Sequence, residues 1–541
     1  MGVAGLHSWA EAQAGLGTRI RLQAKDGGET IILDAGAGMM SFFAGQRSLV
    51  GDFAALRKSV EKLVQRFRRA GFRLVVVVDG AVPAEKHSTW LSRRRKDAKR
   101  VEALNAAMAG GPVKASGKQP FLWLPPAFCQ TYVGSAFRAA GCQVVFSTVE
   151  ADRVCAGLAA SLGAFGVLGR DSDFFAFALG RALYLDFSTL QGLSVVAYSQ
   201  PLVLERLGLP LEALPLLSDA LGNDLHSRKR ALHEKIMAGE GEAVPLAVAA
   251  VCKRLTEPEP LVPRTDRERD VFEWYTPVIP SLAPARAVLR PHLEVLLAAR
   301  TFVGPLTFEH LVPAQTDAPT VFEATAALRA AVYARLFGCN PGDSSVVTEL
   351  LCSARRDTSW PTTQNDFSNS APAAFPAAVV AASPGEAPAQ AVARHVVSHW
   401  LAPHLAPHHA DALVAQADPA RRVAFHARAP PPLGLRGVRP ADVHAMSLFL
   451  VAMDMFLWQA DAGALDLPIW DHFDGLLYHA LLQQPARAGA ELAAVQPLRA
   501  KAAGRVVPKR DYVSRGTKAP AHARLRCRPI AQVALARCLT F

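Results

Sequence analysis

Two short apolar runs that each end in a carboxylate constrain this chain more than any other feature. The first is Thr30-Ile31-Ile32-Leu33-Asp34 and the second is Arg73-Leu74-Val75-Val76-Val77-Val78-Asp79. Four consecutive valines leave no polar face for water, so they predict a strand covered on both sides, as in a parallel sheet. Between the runs, Asp52 is placed to cap a helix through about Ala70, and Gly71 to end it. That is a β-α-β unit. The pattern returns with a strand over Cys142–Phe146, a helix over Ala151–Leu162 and a strand over Phe165–Leu168. Gly169-Arg170-Asp171-Ser172-Asp173 then turns into a further helix. Such alternation predicts an α/β domain with a mostly parallel central sheet flanked by helices.

The acids are placed where such a sheet gathers ligands. Open α/β sheets bind at the carboxyl ends of their strands. Asp34 and Asp79 end apolar runs, and Asp171 and Asp173 follow a third. Glu150 and Asp152 open a helix just past a strand, and Asp224 sits in Leu221-Gly222-Asn223-Asp224 after a helical stretch. Any one of them is explained as a helix cap or turn residue. Together they bring seven carboxylates from remote segments toward one end of the sheet. Crowded carboxylates raise one another's pKa unless cations neutralise them. An all-oxygen donor set suits one or two Mg²⁺ or Mn²⁺ ions, and a pair of such ions suits hydrolysis of a phosphodiester.

Between the second and third acidic segments lies a helix-forming, strongly basic stretch, Glu85–Ala109, with Lys86, Arg93, Arg94, Arg95, Lys96, Lys99 and Arg100. The whole chain carries a formal net charge of +12. That balance favours a polyanionic partner, nucleic acid first, DNA and RNA alike. The bland reading of the basic stretch is a solvated helix face.

Taken together, these residues resemble the flap-endonuclease/XPG (Rad2) superfamily of PIN-like nucleases, including its asteroid-like branch. Met1-Gly2-Val3-Ala4-Gly5-Leu6 looks like that family's opening, Ile32-Leu33-Asp34-Ala35 like its first aspartate, and Val78-Asp79-Gly80 like its second. Glu150-Ala151-Asp152, Leu168-Gly169-Arg170-Asp171-Ser172-Asp173-Phe174 and Leu221-Gly222-Asn223-Asp224 are similar to its remaining acids. In the family, a lysine and an arginine of a helical arch reach the scissile phosphate, seven and fourteen residues after the second aspartate; here those positions are Lys86 and Arg93. The resemblance covers roughly residues 1–230. It implies a FEN-like fold and a divalent-metal nuclease. Asp34, Asp79, Glu150, Asp152, Asp171, Asp173 and Asp224 would then hold metal, and Arg94, Arg95, Lys96, Lys99 and Arg100 would hold nucleic acid.

The departures are specific. The second of the paired acids is Asp152 where the family often has glutamate, and the base-stacking aromatic six residues after the first aspartate is replaced by Met40, with Phe42 and Phe43 nearby. The Gly-rich helix-hairpin-helix that grips duplex DNA is replaced by Leu225-His226-Ser227-Arg228-Lys229-Arg230. Asteroid-like members share that loss. Two readings therefore stand: a nuclease, or a nucleic-acid- or protein-binding scaffold with little turnover. Gln532-x-x-Leu535 lacks the aromatic pair of a sliding-clamp peptide.

Beyond residue 230 the pattern is mostly helical. We expect a helical extension over 231–357, a Ser/Thr/Pro/Ala-rich linker over 358–390, a helical region over 391–485 and a basic tail over 486–541. Phe473-Asp474-Gly475, within Asp466–Gln484, faintly resembles the asteroid-like proteins. His395, His399, His404, His408 and His409 cluster, but their interleaved prolines fit a polar surface segment better than a metal site. Tyr132, Phe137 and Trp123 read as core rather than base-stacking residues. Eight cysteines without a C-x-x-C pair fit a reducing compartment. The opening residues lack a signal peptide, and the Met446–Trp458 apolar stretch is too short for a bilayer. The expected setting is intracellular, away from membranes, with the nucleus favoured over the cytoplasm.

Overall fold

The computed structural model describes residues 2–24, 27–43, 51–79, 104, 129–147, 149–223, 225, 243–256, 263, 265–280, 301–303, 321–337, 346–350, 362–371, 373, 376–427, 438–457, 469 and 473–483. Lys86, Arg93, Arg94, Arg95, Lys96, Lys99, Arg100 and Asp224 lie outside the described residues, as do Trp123 and the basic tail. The chain divides into two units, Met1–His479 and Ala480–Phe541, and the first holds the sheets and nearly all of the described helices.

The first half is built on β1 (Gly17–Arg21), β2 (Glu29–Asp34), β3 (Phe72–Val78), β4 (Gln143–Phe146), β5 (Gly166–Gly169), β6 (Leu183–Gln191) and β7 (Ser194–Tyr198). They form one sheet in the order β1-β7-β6-β5-β2-β3-β4. The five strands from β6 to β4 run parallel. The β6–β7 hairpin and β1 add an antiparallel edge. That edge escaped the sequence pattern, because its strands alternate only loosely and one register shift interrupts the hairpin.

The helices of this half are α1 (Leu6–Ala12), α2 (Ala35–Phe42), α3 (Phe53–Arg69), α4 (Cys129–Ala139), α5 (Ala151–Ser161), α6 (Gln200–Leu207), α7 (Leu214–Leu221), α8 (Ala243–Leu255) and α9 (Asp266–Trp274). The valine run is buried on both sides, as expected. Ile32, Val75 and Val77 share one core with Val154, Cys155 and Leu158 of α5. Ile31, Leu33, Leu74, Val76 and Val78 alternate with them and are equally buried; α3 and α4 pack against β3 as well. The α3 boundaries match the local chemistry. The Asp52 Oδ1 accepts the Ala55 amide at 3.0 Å, and Gly71 takes a φ of 86° that a side chain would resist. Phe53, Leu56, Val60, Leu63, Val64 and Phe67 recur at helical spacing and are buried.

The aromatic residues go to the core. Phe42 meets Phe137 at 5.3 Å, Phe43 meets Phe53 at 6.3 Å and Phe53 meets Tyr132 at 5.0 Å. Phe42 and Phe43 are therefore packed away from any nucleic acid.

The rest of the first unit is mostly helical, as expected, with a small sheet. Its strands are β8 (Thr301–Val303), β9 (Val346–Leu350) and β10 (Thr362–Asp366), in the order β10-β9-β8. Its helices are α10 (Val321–Ala324), α11 (Ala326–Phe337), α12 (Pro376–Ala381), α13 (Pro388–His395), α14 (Pro407–Gln416), α15 (Pro419–His426), α16 (Pro440–Leu457) and α17 (Gly475–Gln483). Part of the segment expected to be a linker, residues 358–390, is thus strand and helix. Its Thr-rich start pairs antiparallel with β9, and composition alone hides such a pairing. The Glu349 side chain on β9 is buried, and the Arg329 guanidinium donates to both its oxygens, at 2.6 and 3.0 Å. The α16 helix buries Met446, Phe449, Leu450, Met453 and Phe456, which explains its apolar sequence. No helix among the described residues is long and apolar enough to cross a membrane.

Phe473-Asp474-Gly475 forms the joint between the helical part and the sheet domain. The Phe473 ring lies 6.1 Å from Phe53 and 5.8 Å from Phe449. Asp474 caps α17 by accepting the Leu477 amide at 3.0 Å, and it pairs with His426 at 2.6 Å.

Candidate metal centre

Each carboxylate is delivered by a local rule. Asp34 is the last residue of β2, so the buried strand carries it to a position only 7% exposed. Its Oδ1 accepts the Gly36 amide at 2.9 Å and caps α2. Asp79 follows the last residue of the neighbouring β3. A Cβ added to Gly36 would stand 3.1 Å from Asp34 Oδ1 and 3.6 Å from Asp79 Oδ2, so both carboxylates close on one point. Glu150 stands at the N-cap position of α5 without a side-chain capping bond, and Asp152 lies in the first turn. Asp171 caps the 3-10 turn Ser172–Phe175, accepting the Asp173 amide at 3.3 Å. One oxygen each of Asp152, Asp171 and Asp173 lies within 4.8 Å of the other two.

These groups act on one another electrostatically. Burial first, then Asp79, with Asp171 and Glu150 adding to it, pushes the Asp34 carboxyl up to about 8 against the opposing Gly36 bond. Burial and then Asp171, Asp34, Glu150 and Asp173 hold Asp152 well above the usual carboxylate range. The structure thus brings Asp34, Asp79, Glu150, Asp152, Asp171 and Asp173 to one pocket at the carboxyl ends of parallel strands. The pocket's preference for protons is a preference for positive charge, and its donors are all hard oxygens. The set fits Mg²⁺ or Mn²⁺ better than a softer ion. Asp219, five residues before Asp224, serves another purpose: Arg267 donates to its Oδ1 at 2.6 Å. The histidines from His395 to His409 join no group of three ligand atoms among the described residues. His409 pairs instead with Asp442 at 3.0 Å.

Sequence reasoning missed two contributors. The Tyr275 hydroxyl, just past α9, donates to Asp173 Oδ1 at 2.6 Å. The segment beyond it straps across α5: the Val278 amide donates to the Arg153 carbonyl at 3.0 Å, and the Arg153 Nε donates to the Thr276 carbonyl at 3.1 Å. Gly157 permits the strap, since a Cβ there would collide with the Val278 carbonyl. Tyr275 is 102 residues from Asp173 and carries no local motif, so no sequence signal marked it. The second contributor is Gly2. Its backbone lies so close to Asp171 that a Cβ would overlap the carboxylate. The segment is tied there by the Ser172 hydroxyl, which donates to the Val3 carbonyl at 2.9 Å, and by the Ala4 amide, which donates to the Gly222 carbonyl at 2.9 Å. The opening residues gave the resemblance its first match, and that match could have marked Gly2.

The sheet order is that of a FEN-like, PIN-like fold, a mostly parallel central sheet flanked by helices, joined to a mostly helical C-terminal region. The comparisons with known proteins point to two groups. No family model matches the chain. It is similar to the bovine (Bos taurus) protein called constitutive coactivator of peroxisome proliferator-activated receptor gamma, at 26% identity over 238 residues, 42% of this chain and 33% of that protein. The human (Homo sapiens) protein of that name is 26% identical over 203 residues, 36% of this chain and 21% of that protein. The chain therefore spans a third or less of these relatives' length. Among solved structures, the catalytic core of Rad2 in complex with DNA substrate is 17% identical, covering 54% of this chain and 92% of that one, with a TM-score of 0.35. Human GEN1 with Holliday junction DNA is 15% identical, covering 64% and 83%, with a TM-score of 0.32. At TM-scores of this size the overlays carry no functional information.

Proposed function

We propose that this protein is a divalent-metal-dependent nuclease acting on phosphodiester bonds of DNA or RNA, with flap or single-strand structures as its favoured targets. The convergence of six carboxylates from four segments on one pocket carries the reading. Asp34, Asp79, Glu150, Asp152, Asp171 and Asp173, with Asp224, would hold one or two Mg²⁺ or Mn²⁺ ions. Bound there, such ions supply the positive charge and Lewis acidity that phosphodiester hydrolysis requires. The chain's own part is to fix that donor set. The Gly36 amide orients Asp34, the turn amide orients Asp171, and the Tyr275 hydroxyl orients Asp173. Lys86 and Arg93 would contact the reacting phosphate, and Arg94, Arg95, Lys96, Lys99 and Arg100 would hold the strand electrostatically. The basic tail would add salt-dependent affinity and a nuclear address.

A second reading is favoured by the names of the curated relatives, which are coactivators, and by the missing duplex-gripping motif. It is a nuclease-like scaffold that binds nucleic acid or protein without turnover. Labelled single-strand, duplex and flap oligonucleotides, incubated with Mn²⁺ or EDTA, separate the two. EDTA-sensitive cleavage lost in Asp171→Ala supports the nuclease. Binding without cleavage by the intact protein favours the scaffold.

A further inference from the structure

A second cluster of ligand atoms lies outside the acidic pocket, on the first helix and the antiparallel side of the sheet. His7 and Glu11 stand one helical turn apart on α1, on one face. Opposite them is Asp186 on β6, which is fully buried. One ligand atom from each of the three lies within 4.8 Å of the other two.

The hydrogen bonding is asymmetric in an informative way. Asp186 Oδ1 is satisfied: it accepts the Ser188 amide at 2.9 Å and the Ser188 hydroxyl at 2.7 Å. Its Oδ2 is buried and faces the buried His7 Nε2 as a charge partner, with no well-aligned hydrogen bond between them. The two atoms are 3.3 Å apart, close enough for an ion pair but misaligned for a hydrogen bond. That separation is about the edge of a tetrahedral site with bonds of roughly 2.0–2.1 Å to nitrogen and oxygen. The Nδ1 of the same ring lies 3.7 Å from Glu11 Oε2. The Glu11 side chain is 55% exposed and free to swing onto an ion. The pocket is walled by Phe175 and Tyr198, whose rings lie 6.1 and 6.4 Å from that of His7. The buried Tyr184 hydroxyl, which feels the Asp186 charge, is a further polar atom with no hydrogen-bond partner.

We infer that His7, Asp186 and Glu11 form a zinc site distinct from the acidic pocket. One imidazole nitrogen with two carboxylates is a borderline donor set that suits Zn²⁺ better than the all-oxygen pocket does. Asp186 is held by Ser188 in the way that outer-shell partners orient metal-binding carboxylates. The ion would pin α1 to β6 and so fix the adjoining Gly2–Leu6 segment that runs past Asp171.

The test is titration of the full chain, cleared of metal and then saturated with Mg²⁺, with ZnSO₄. The intact protein is expected to take up one more equivalent of Zn²⁺ than His7→Gln. Asp171→Asn, altered in the acidic pocket, is expected to keep that equivalent. Asp186→Asn, at a buried position, can cost the fold, so the exposed Glu11→Gln is measured beside it, with roughly tenfold weaker binding or more expected. Zn²⁺ should also raise the Tm of the intact protein and leave that of His7→Gln unmoved. Equal stoichiometry in the intact protein and His7→Gln, or loss of the equivalent in Asp171→Asn alone, would overturn the assignment.

Discussion

The Tyr275 hydroxyl donates to Asp173 Oδ1 at 2.6 Å. A residue far outside the segment of family resemblance thereby sets the orientation of an acid in the pocket. Tyr275→Phe removes one oxygen and little else. The loss of a hydrogen bond to a charged group should cost about 1.5–3 kcal/mol of stability. Mn²⁺ affinity should fall about 10–100-fold, as for other partners of metal-binding carboxylates. Mn²⁺ titration followed by electron paramagnetic resonance measures it; unchanged affinity would remove Tyr275 from the site.

Protonation in the pocket predicts an unusual pH profile for the metal-free protein. The folded Asp34 carboxyl stands at about 8, above its ordinary value of 3.8. Between those limits the folded state keeps a proton that the unfolded state releases, so stability falls as pH rises from about 4 toward about 8. Burial and its neighbours shift Asp152 in the same direction. In EDTA, the urea midpoint should be lower at about pH 8 than at about pH 5. Saturating Mn²⁺ should reverse the order and release protons on binding. A midpoint in EDTA that climbs across this range would contradict the assignment.

Gly2→Ala tests the close approach to Asp171. The new Cβ would overlap the carboxylate, and the φ of 70° disfavours any side chain. The backbone term alone is about 1–2 kcal/mol. We expect weaker Mn²⁺ binding with an unaltered far-ultraviolet circular dichroism spectrum. Full affinity would show that Gly2 does not constrain Asp171.

Phe473→Ala tests the joint. The ring is 1% exposed and packs on Phe53 and Phe449. Its removal should cost about 3–5 kcal/mol in chemical denaturation, while the folded variant keeps its Mn²⁺ affinity. A loss below about 1 kcal/mol would mean that the cavity collapses or that the joint is loose.

The parallel core of the fold was legible because burial on both faces leaves a plain mark, the unbroken Val75–Val78 run. The acids were legible because each follows a strand or opens a helix. Three kinds of feature were not. The β6–β7 edge has too little alternation to announce itself. The β10 strand sits in a Thr- and Ser-rich stretch that composition alone assigns to a linker. Tyr275 and the His7–Asp186 pair depend on contacts between remote segments, which no local spacing encodes.

The strap from Tyr275 to Val278 has a practical corollary for anyone cutting this gene. A fragment ending near residue 230 would retain all seven candidate carboxylates yet strip the covering from α5. The Arg153 carbonyl would lose its amide donor, and Gly157 would face solvent. Recombinant boundaries drawn from motif similarity alone would therefore yield a weakened domain, and the shortest soundly folding piece should run beyond residue 280.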